Sequence, residues 1–371
     1  MFLLHIPYYA NIQRGNVLRF FSGKKAHGMQ KLAPPKEWKD MSEILAHVTR
    51  GDVVECLHRG DLVVAGTQAD IAYAVGDPLK VTYWRSAAKP FQVLPLIEAG
   101  GVERFGFTDE ELALMVSSHS GEPAHTAGIA AVFSRLGLSQ ELLACGTAPP
   151  LSQRAAQALL TDGKAFGQLT NPCSGKHSAM LALALLLGCG LTGYTGKDHP
   201  VQQEMLRTVA DVAGLATGDI AVGIDGCGVP VFGLPLLHMA RAYALLARPD
   251  QASSPVRTAA LQVVARAMAS QPFFVAGTNR LDTVLSEATG GRVIAKTGAE
   301  GVYCVAVRDK GLGLALKIED GGHLAFGPVV LNALSRLNLL SAGELSLLAD
   351  HREISLRNHR KEIIGSVQAV F

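Results

Sequence analysis

Stretches rich in strand-forming residues stand at the two ends of this 371-residue chain, and a long helical stretch separates them. The run from about residue 46, AHVTRGDVVECLHRGDLVVAGTQADIAYAVGD, reads as three short strands of an antiparallel meander. Arg-Gly-Asp at 50–52 and 59–61 and the segment GTQAD divide them. Turn chemistry accounts for both Arg-Gly-Asp triplets better than an adhesion role does. Strand patterns return only in GGRVIAKTG, EGVYCVAVRDK and GLGLALKIEDG, and a closing helix, PVVLNALSRLNLL, precedes a short tail. From about 86 to 270 the pattern is helical, broken by Gly/Pro-rich loops such as SSHSGEPAH, CGTAPPLS and GIDGCGVPVFG. The expected fold is therefore α+β (mixed α/β): one antiparallel sheet built from both chain ends, with a helical region inserted.

Composition narrows the function. The chain is 48% hydrophobic and 18% charged, enough to bury a large core. A net charge of +2 with no basic stripe excludes nucleic acid as the expected partner. No apolar run has the length of a membrane span, so no membrane role is expected. The six cysteines are scattered, which is no disulfide framework and points to a reducing, cytoplasmic setting. Residues 1–43 read as a poorly ordered extension ending in the linker-like LAPPKEWKD, and residues 44–371 as a single catalytic domain.

Five segments carry chemistry. YWRSAAKPFQ places Ser86 and Lys89 in an S-x-x-K arrangement, where a lysine of depressed pKa can take a serine proton. VIAKTGAEG puts Lys296-Thr297-Gly298 at a strand end, and VSSHSGEP offers Ser117, Ser118 and Ser120 as a middle serine. S-x-x-K with K-T-G is the pattern of serine acyl-transfer sites in penicillin-recognising enzymes, but S-D-N is absent. In NPCSGKH, Asn171 reads as a helix N-cap and Pro172 as the first helical residue, which puts Cys173 and Lys176 on one face. Cys227 lies in GIDGCGVPVFG, two residues after Asp225. Cys173, Lys176 and Cys227 could converge on one soft metal, while a Cys173 pair with His177 or His119 is the competing arrangement.

Taken together, YWRSAAKPFQVLPLIEAGG, MVSSHSGEPAHT, LTNPCSGKHSAML, GIDGCGVPVFGLPL and IAKTGAEGVYC resemble the asparaginase II family, the rhizobial-type or class 3 L-asparaginases. The resemblance spans about residues 46–340, and the extension before it matches nothing in the family. It implies a fold similar to serine β-lactamases and glutaminases, and hydrolysis of L-asparagine to L-aspartate and ammonia by a homodimer. It makes Ser86 and Lys89 one catalytic tandem, nucleophile and base, and Ser118 and Lys296 a second. It implies one zinc ion per chain on Cys173, Lys176 and Cys227, with Arg85, His119, Asp225 and His177 as substrate-binding residues. Two other functions compete: a penicillin-recognising serine acyl transferase or hydrolase, and a noncatalytic zinc-stabilised binding protein.

Overall fold

Small residues decide how the central sheet is covered. In strand order the chain contributes β1 (Glu43–Arg50), β2 (Val53–Ala65), β3 (Ile71–Val75), β4 (Val81–Tyr83), β5 (Ala221–Ile224) and β6 (Pro230–Pro235). The later strands are β7 (Val293–Thr297), β8 (Val302–Val307), β9 (Leu312–Ile318), β10 (Ile354–Arg357) and β11 (Ile363–Ala369). The computed structural model describes residues 42–371, which belong to a single unit. The expected extension falls outside the described residues except for its last two, and Glu43 already opens β1.

An eight-stranded sheet runs β10-β11-β1-β2-β9-β8-β7, with β3 also paired to β2. Every pairing in it is antiparallel, so both chain ends build one sheet as expected. Side chains alternate between two cores, because successive strand residues point to opposite faces. Tyr303, Val305, Leu314 and Leu316 pack with Val329, Val330 and Leu334 of the helix Phe326–Arg336. On the other face, Cys304, Ala306 and Ala315 meet the helix Leu236–Ala247 and the helical region behind it. That helix lies so close that a Cβ on Gly313 would stand 1.9 Å from the Ala240 carbonyl oxygen.

Three expectations need correction. The second Arg-Gly-Asp does not divide two strands; it lies inside the 13-residue β2. A Cβ on Gly60 would sit 2.3 Å from the Lys317 carbonyl oxygen, so that glycine serves close strand packing rather than a turn. The helical middle is not free of strands, since β5 and β6 join β4 in a second sheet of order β4-β6-β5. The tail after the closing helix is no mere tail either: it holds β10 and β11, and β11 pairs with β1.

Candidate active site

The site forms where five segments meet: the turn after β4, the end of the helix Asp109–Met115, the start of the helix Ser174–Leu187, the β5–β6 connection and the end of β7. Gly175 allows this convergence. A Cβ there would stand 1.9 Å from the Leu114 carbonyl oxygen, so the helix start lies directly against the preceding helix's end. The NPCSGKH segment begins its helix later than its sequence implies. Cys173, not Asn171, is the N-cap. Asn171 forms the turn ahead of it, accepting from Cys173 N at 2.8 Å and donating to the carbonyls of Cys145 and Gly146.

A buried chain of polar groups crosses the centre. Lys89 Nζ donates to the Ser117 carbonyl at 2.5 Å, to Ser118 Oγ at 3.2 Å and to the Pro172 carbonyl at 3.2 Å. Lys296 Nζ reaches the same Ser118 Oγ at 2.9 Å and the Thr297 carbonyl at 2.8 Å. Burial disfavours the ammonium form, so both amines are shifted down: Lys89 by desolvation first, Lys296 by desolvation to about 7. Ser118 thus lies between two amines that can each exchange a proton with it.

The Ser86–Lys89 spacing does not produce the hydrogen bond it suggests. Residues Arg85–Ala88 form a 3-10 turn that Lys89 N–H closes on the Ser86 carbonyl, and the Lys89 amine bonds Ser118 rather than Ser86. The Ser86 hydroxyl is half-buried and has no hydrogen-bond partner among the described residues. Next to it Arg85 holds φ at 52°, a left-handed conformation that costs a non-glycine residue about 1 kcal/mol or more. In that conformation Arg85 Nε donates to Asp225 Oδ1 at 2.9 Å.

Asp225 connects this pair to the thiols. Its other oxygen lies 3.6 Å from Lys176 Nζ and 3.9 Å from Cys227 Sγ. Lys176 Nζ in turn lies 3.2 Å from Cys227 Sγ. Burial raises the Asp225 pKa, but the charges of Lys176 and Arg85 outweigh it and hold the carboxyl below its ordinary value. A hydrogen bond from Cys227 holds the Cys173 thiol well below its usual range, and Cys227, as donor, is pushed up. Burial pulls Lys176 down, yet the two sulfurs and Asp225 reverse that and raise it.

Ligating atoms of Cys173, Asp225 and Cys227 lie within 4.8 Å of one another, a group able to hold a metal ion. Two converging thiols are the donor type that zinc and other soft ions take, so the residues present fit the expected metal. The carboxylate of Asp225 joins that group, which the sequence placed only beside it.

The two remaining candidates are held by other partners. His119 accepts from Gly121 N at Nδ1 (3.1 Å), which leaves Nε2–H to donate to Ser174 Oγ at 2.8 Å. Both ring nitrogens are occupied, and burial keeps the ring neutral. His177 Nδ1 meets the Tyr194 hydroxyl at 2.6 Å, while its buried Nε2 has no partner. Asp282 escaped the sequence reading altogether. Its buried carboxylate accepts from both the backbone and the hydroxyl of Thr297, fixing the strand end beside Lys296. A lone aspartate in an amphipathic helix gives no signal of that role.

The family model described as L-asparaginase II matches residues 46–369. The chain belongs to that family. The L-asparaginase II match takes in each of the five converging segments. No match is found among curated proteins. Similar solved structures include a β-lactamase from Mycobacterium bovis, at 13% identity and TM-score 0.40, covering 76% of this chain and 95% of that one. A class C β-lactamase from Rhodobacter sphaeroides overlaps 75% of this chain and 95% of its own, at 12% identity and TM-score 0.40. Native Mglu overlaps at 14% identity and TM-score 0.42, over 76% of this chain, which spans 61% of Mglu's length. Similarity at this level carries no argument about activity. Among the described residues no helix is long and apolar enough to cross a membrane.

Proposed function

We propose that residues 44–371 form one catalytic domain that hydrolyses L-asparagine to L-aspartate and ammonia through a serine–lysine acyl-enzyme. The observation that carries this reading is the buried Lys89–Ser118–Lys296 chain, which ends beside the Arg85–Asp225 pair. Ser86 is the attacking hydroxyl. It stands half-buried at a turn, next in sequence to Arg85, whose pairing with Asp225 suits an amino acid's charged head. A serine needs a base to become a nucleophile, and Lys89 is the nearest amine along the chain. The proton it takes passes through Ser118 to Lys296 and returns to the departing nitrogen. Water then hydrolyses the ester by the same route in reverse.

One observation favours a second reading. Both lysines hydrogen-bond Ser118 and neither bonds Ser86, so Ser118 is the alternative nucleophile. A denaturing quench of turnover, followed by mapping the aspartyl adduct by mass spectrometry, distinguishes them.

For zinc, Cys173, Cys227 and Lys176 would be the ligands, Lys176 only on release of its ammonium proton, with Asp225 at hand. When bound, the ion would supply a fixed positive charge that helps position the substrate. We expect one zinc per chain by elemental analysis. Cys173→Ser and Cys227→Ser should each lose most of it, since a site left with two strong ligands seldom holds the ion. Undiminished zinc in both variants removes this site.

Asparagine turnover should also depend on pH in a stated direction. Lys296 is lowered to about 7, and only its neutral form accepts a proton. Its neutral fraction rises as pH climbs through that value, so kcat should increase from about pH 6 to about pH 8. Lys89 is lowered too and shares Ser118, so the rise belongs to the coupled group rather than to one residue. A profile already flat at pH 5 would remove lysine as the base.

A single assay tests the function as a whole: ammonia release from asparagine and from glutamine, alongside opening of a chromogenic β-lactam. Ammonia from asparagine supports the reading. β-Lactam opening without it favours a penicillin-recognising enzyme, and no turnover at all favours a binding protein.

A further inference from the structure

The asparaginase reading leaves a cleft unused. Thr297, whose carbonyl accepts from Lys296 Nζ, lines a cavity of about 560 Å³. Released ammonia needs only roughly the ~30 Å³ of a water molecule. A cavity of this size lies in the range that holds a small organic ligand.

Its lining has two characters. Leu151, Leu281, Leu324 and Phe326 give an apolar wall, and Arg280 supplies a positive charge. Among the described residues the Arg280 guanidinium has no hydrogen-bond or ion-pair partner, whereas Arg85 is paired with Asp225. Arg280 is fixed in place because it is the N-cap of the helix Leu281–Ala288 and its backbone N–H donates to the Gly277 carbonyl. Asp282, two residues on, is the group that binds Thr297. The cation and the strand end beside Lys296 are thus tied to one short segment.

Lys296 joins the Ser118 hydroxyl to the Thr297 carbonyl, and Thr297 lines the cleft, so the cleft opens beside the amine that serves the serine. A substrate that acylates the serine there has the cleft open to whatever group its amide nitrogen carries. We propose that the cleft receives the leaving group of substituted asparagine amides, specifically β-aspartyl dipeptides with an apolar second residue whose free carboxylate binds Arg280. The reaction is the one already described. The serine oxygen bonds the β-carbonyl carbon, the C–N bond breaks, and the nitrogen takes the serine's proton and leaves as a free amino acid. Water then cleaves the ester to give aspartate. This inference rests on the asparaginase reading, and its test separates the two.

The test uses three substrates: asparagine, β-aspartyl-leucine, and β-aspartyl-leucine amide, which lacks the free carboxylate. The wild-type chain should release leucine from the dipeptide, and the dipeptide amide should be at least about tenfold poorer in kcat/KM. Arg280→Gln should lower the ratio of dipeptide to asparagine kcat/KM at least about tenfold, and leave the ratio of dipeptide amide to asparagine unchanged. Arg280→Lys should restore part of the loss, which shows that the charge and not the local fold is read. Asparagine turnover without leucine release overturns the inference and leaves the asparaginase reading standing. Leucine release without ammonia from asparagine supports the cleft and overturns asparagine as the substrate. Activity on neither overturns both, and an equal loss on all three substrates in Arg280→Gln overturns the role of Arg280.

Discussion

Ser86→Ala is expected to lower kcat/KM for asparagine by about 10³-fold or more, with the folding temperature unchanged within about 2 °C. The two halves of that expectation have separate causes. The hydroxyl makes no hydrogen bond among the described residues and is half-buried, so its removal leaves no orphaned partner and no sizeable void. The chemistry, in contrast, loses its bond-forming atom. Ser118→Ala should also slow turnover, because it cuts the link between Lys89 and Lys296, but an aspartyl adduct should still form on Ser86. If Ser86→Ala retains a large part of its activity, and the wild-type adduct maps to Ser118, the roles exchange.

Gly175→Val should be the most damaging substitution for the scaffold of the site. The added Cβ would coincide with the Leu114 carbonyl oxygen, 1.9 Å away, and both atoms belong to helix backbones that cannot rotate aside. The helix Ser174–Leu187 must back away from the helix Asp109–Met115. Overpacking of this kind costs about 3 kcal/mol or more, which for a chain this long is a fall of roughly 4 °C or more in Tm. Cys173 and Lys176 move with the helix start, so metal binding should fall with stability. Gly167→Ala is the control, because its added Cβ meets nothing within 4 Å. Thermal unfolding of both variants, read beside their zinc content, checks the expectation; equal Tm values would mean the helix start can shift freely.

The sheet was legible because its strands are long runs of apolar residues with turn residues between them. The second sheet was not. β5 is only four residues long, and β6 begins and ends with proline, a residue that argues against a strand when read locally. Pairing with β4, from a distant part of the chain, is what makes them strands. β10 and β11 were missed for a similar reason, since β10 has only four residues and Gly365, Ser366 and Gln368 break up the apolar pattern of β11.

The site divides along the same line. Lys89, Ser118 and Lys296 each stand in a short motif, so their chemistry could be read residue by residue. Their mutual aim could not. The S-x-x-K spacing keeps Lys89 one turn from Ser86, but its amine is claimed by Ser118 and by two carbonyls from other segments, which no local spacing shows. Asp282 and Arg280 have no motif at all, and their neighbours are set by how the helix Leu281–Ala288 packs on β7.

The pairing of β1 with β11 sets when the protein can be finished during its synthesis. Thr49 and Ser366 bond across 317 residues, so β1 leaves the ribosome long before its partner on that side exists. On its other side it has β2 at once, but β2 must itself wait for β9. Until then the nascent chain carries two strands with open backbone groups on their outer sides, a template for pairing with a neighbouring chain. The helical region is made in the interval, and it can gather its own core while the hairpin waits. β11 closes β1 from more than 300 residues away, so the sheet is completed only after the whole helical region between them has been made.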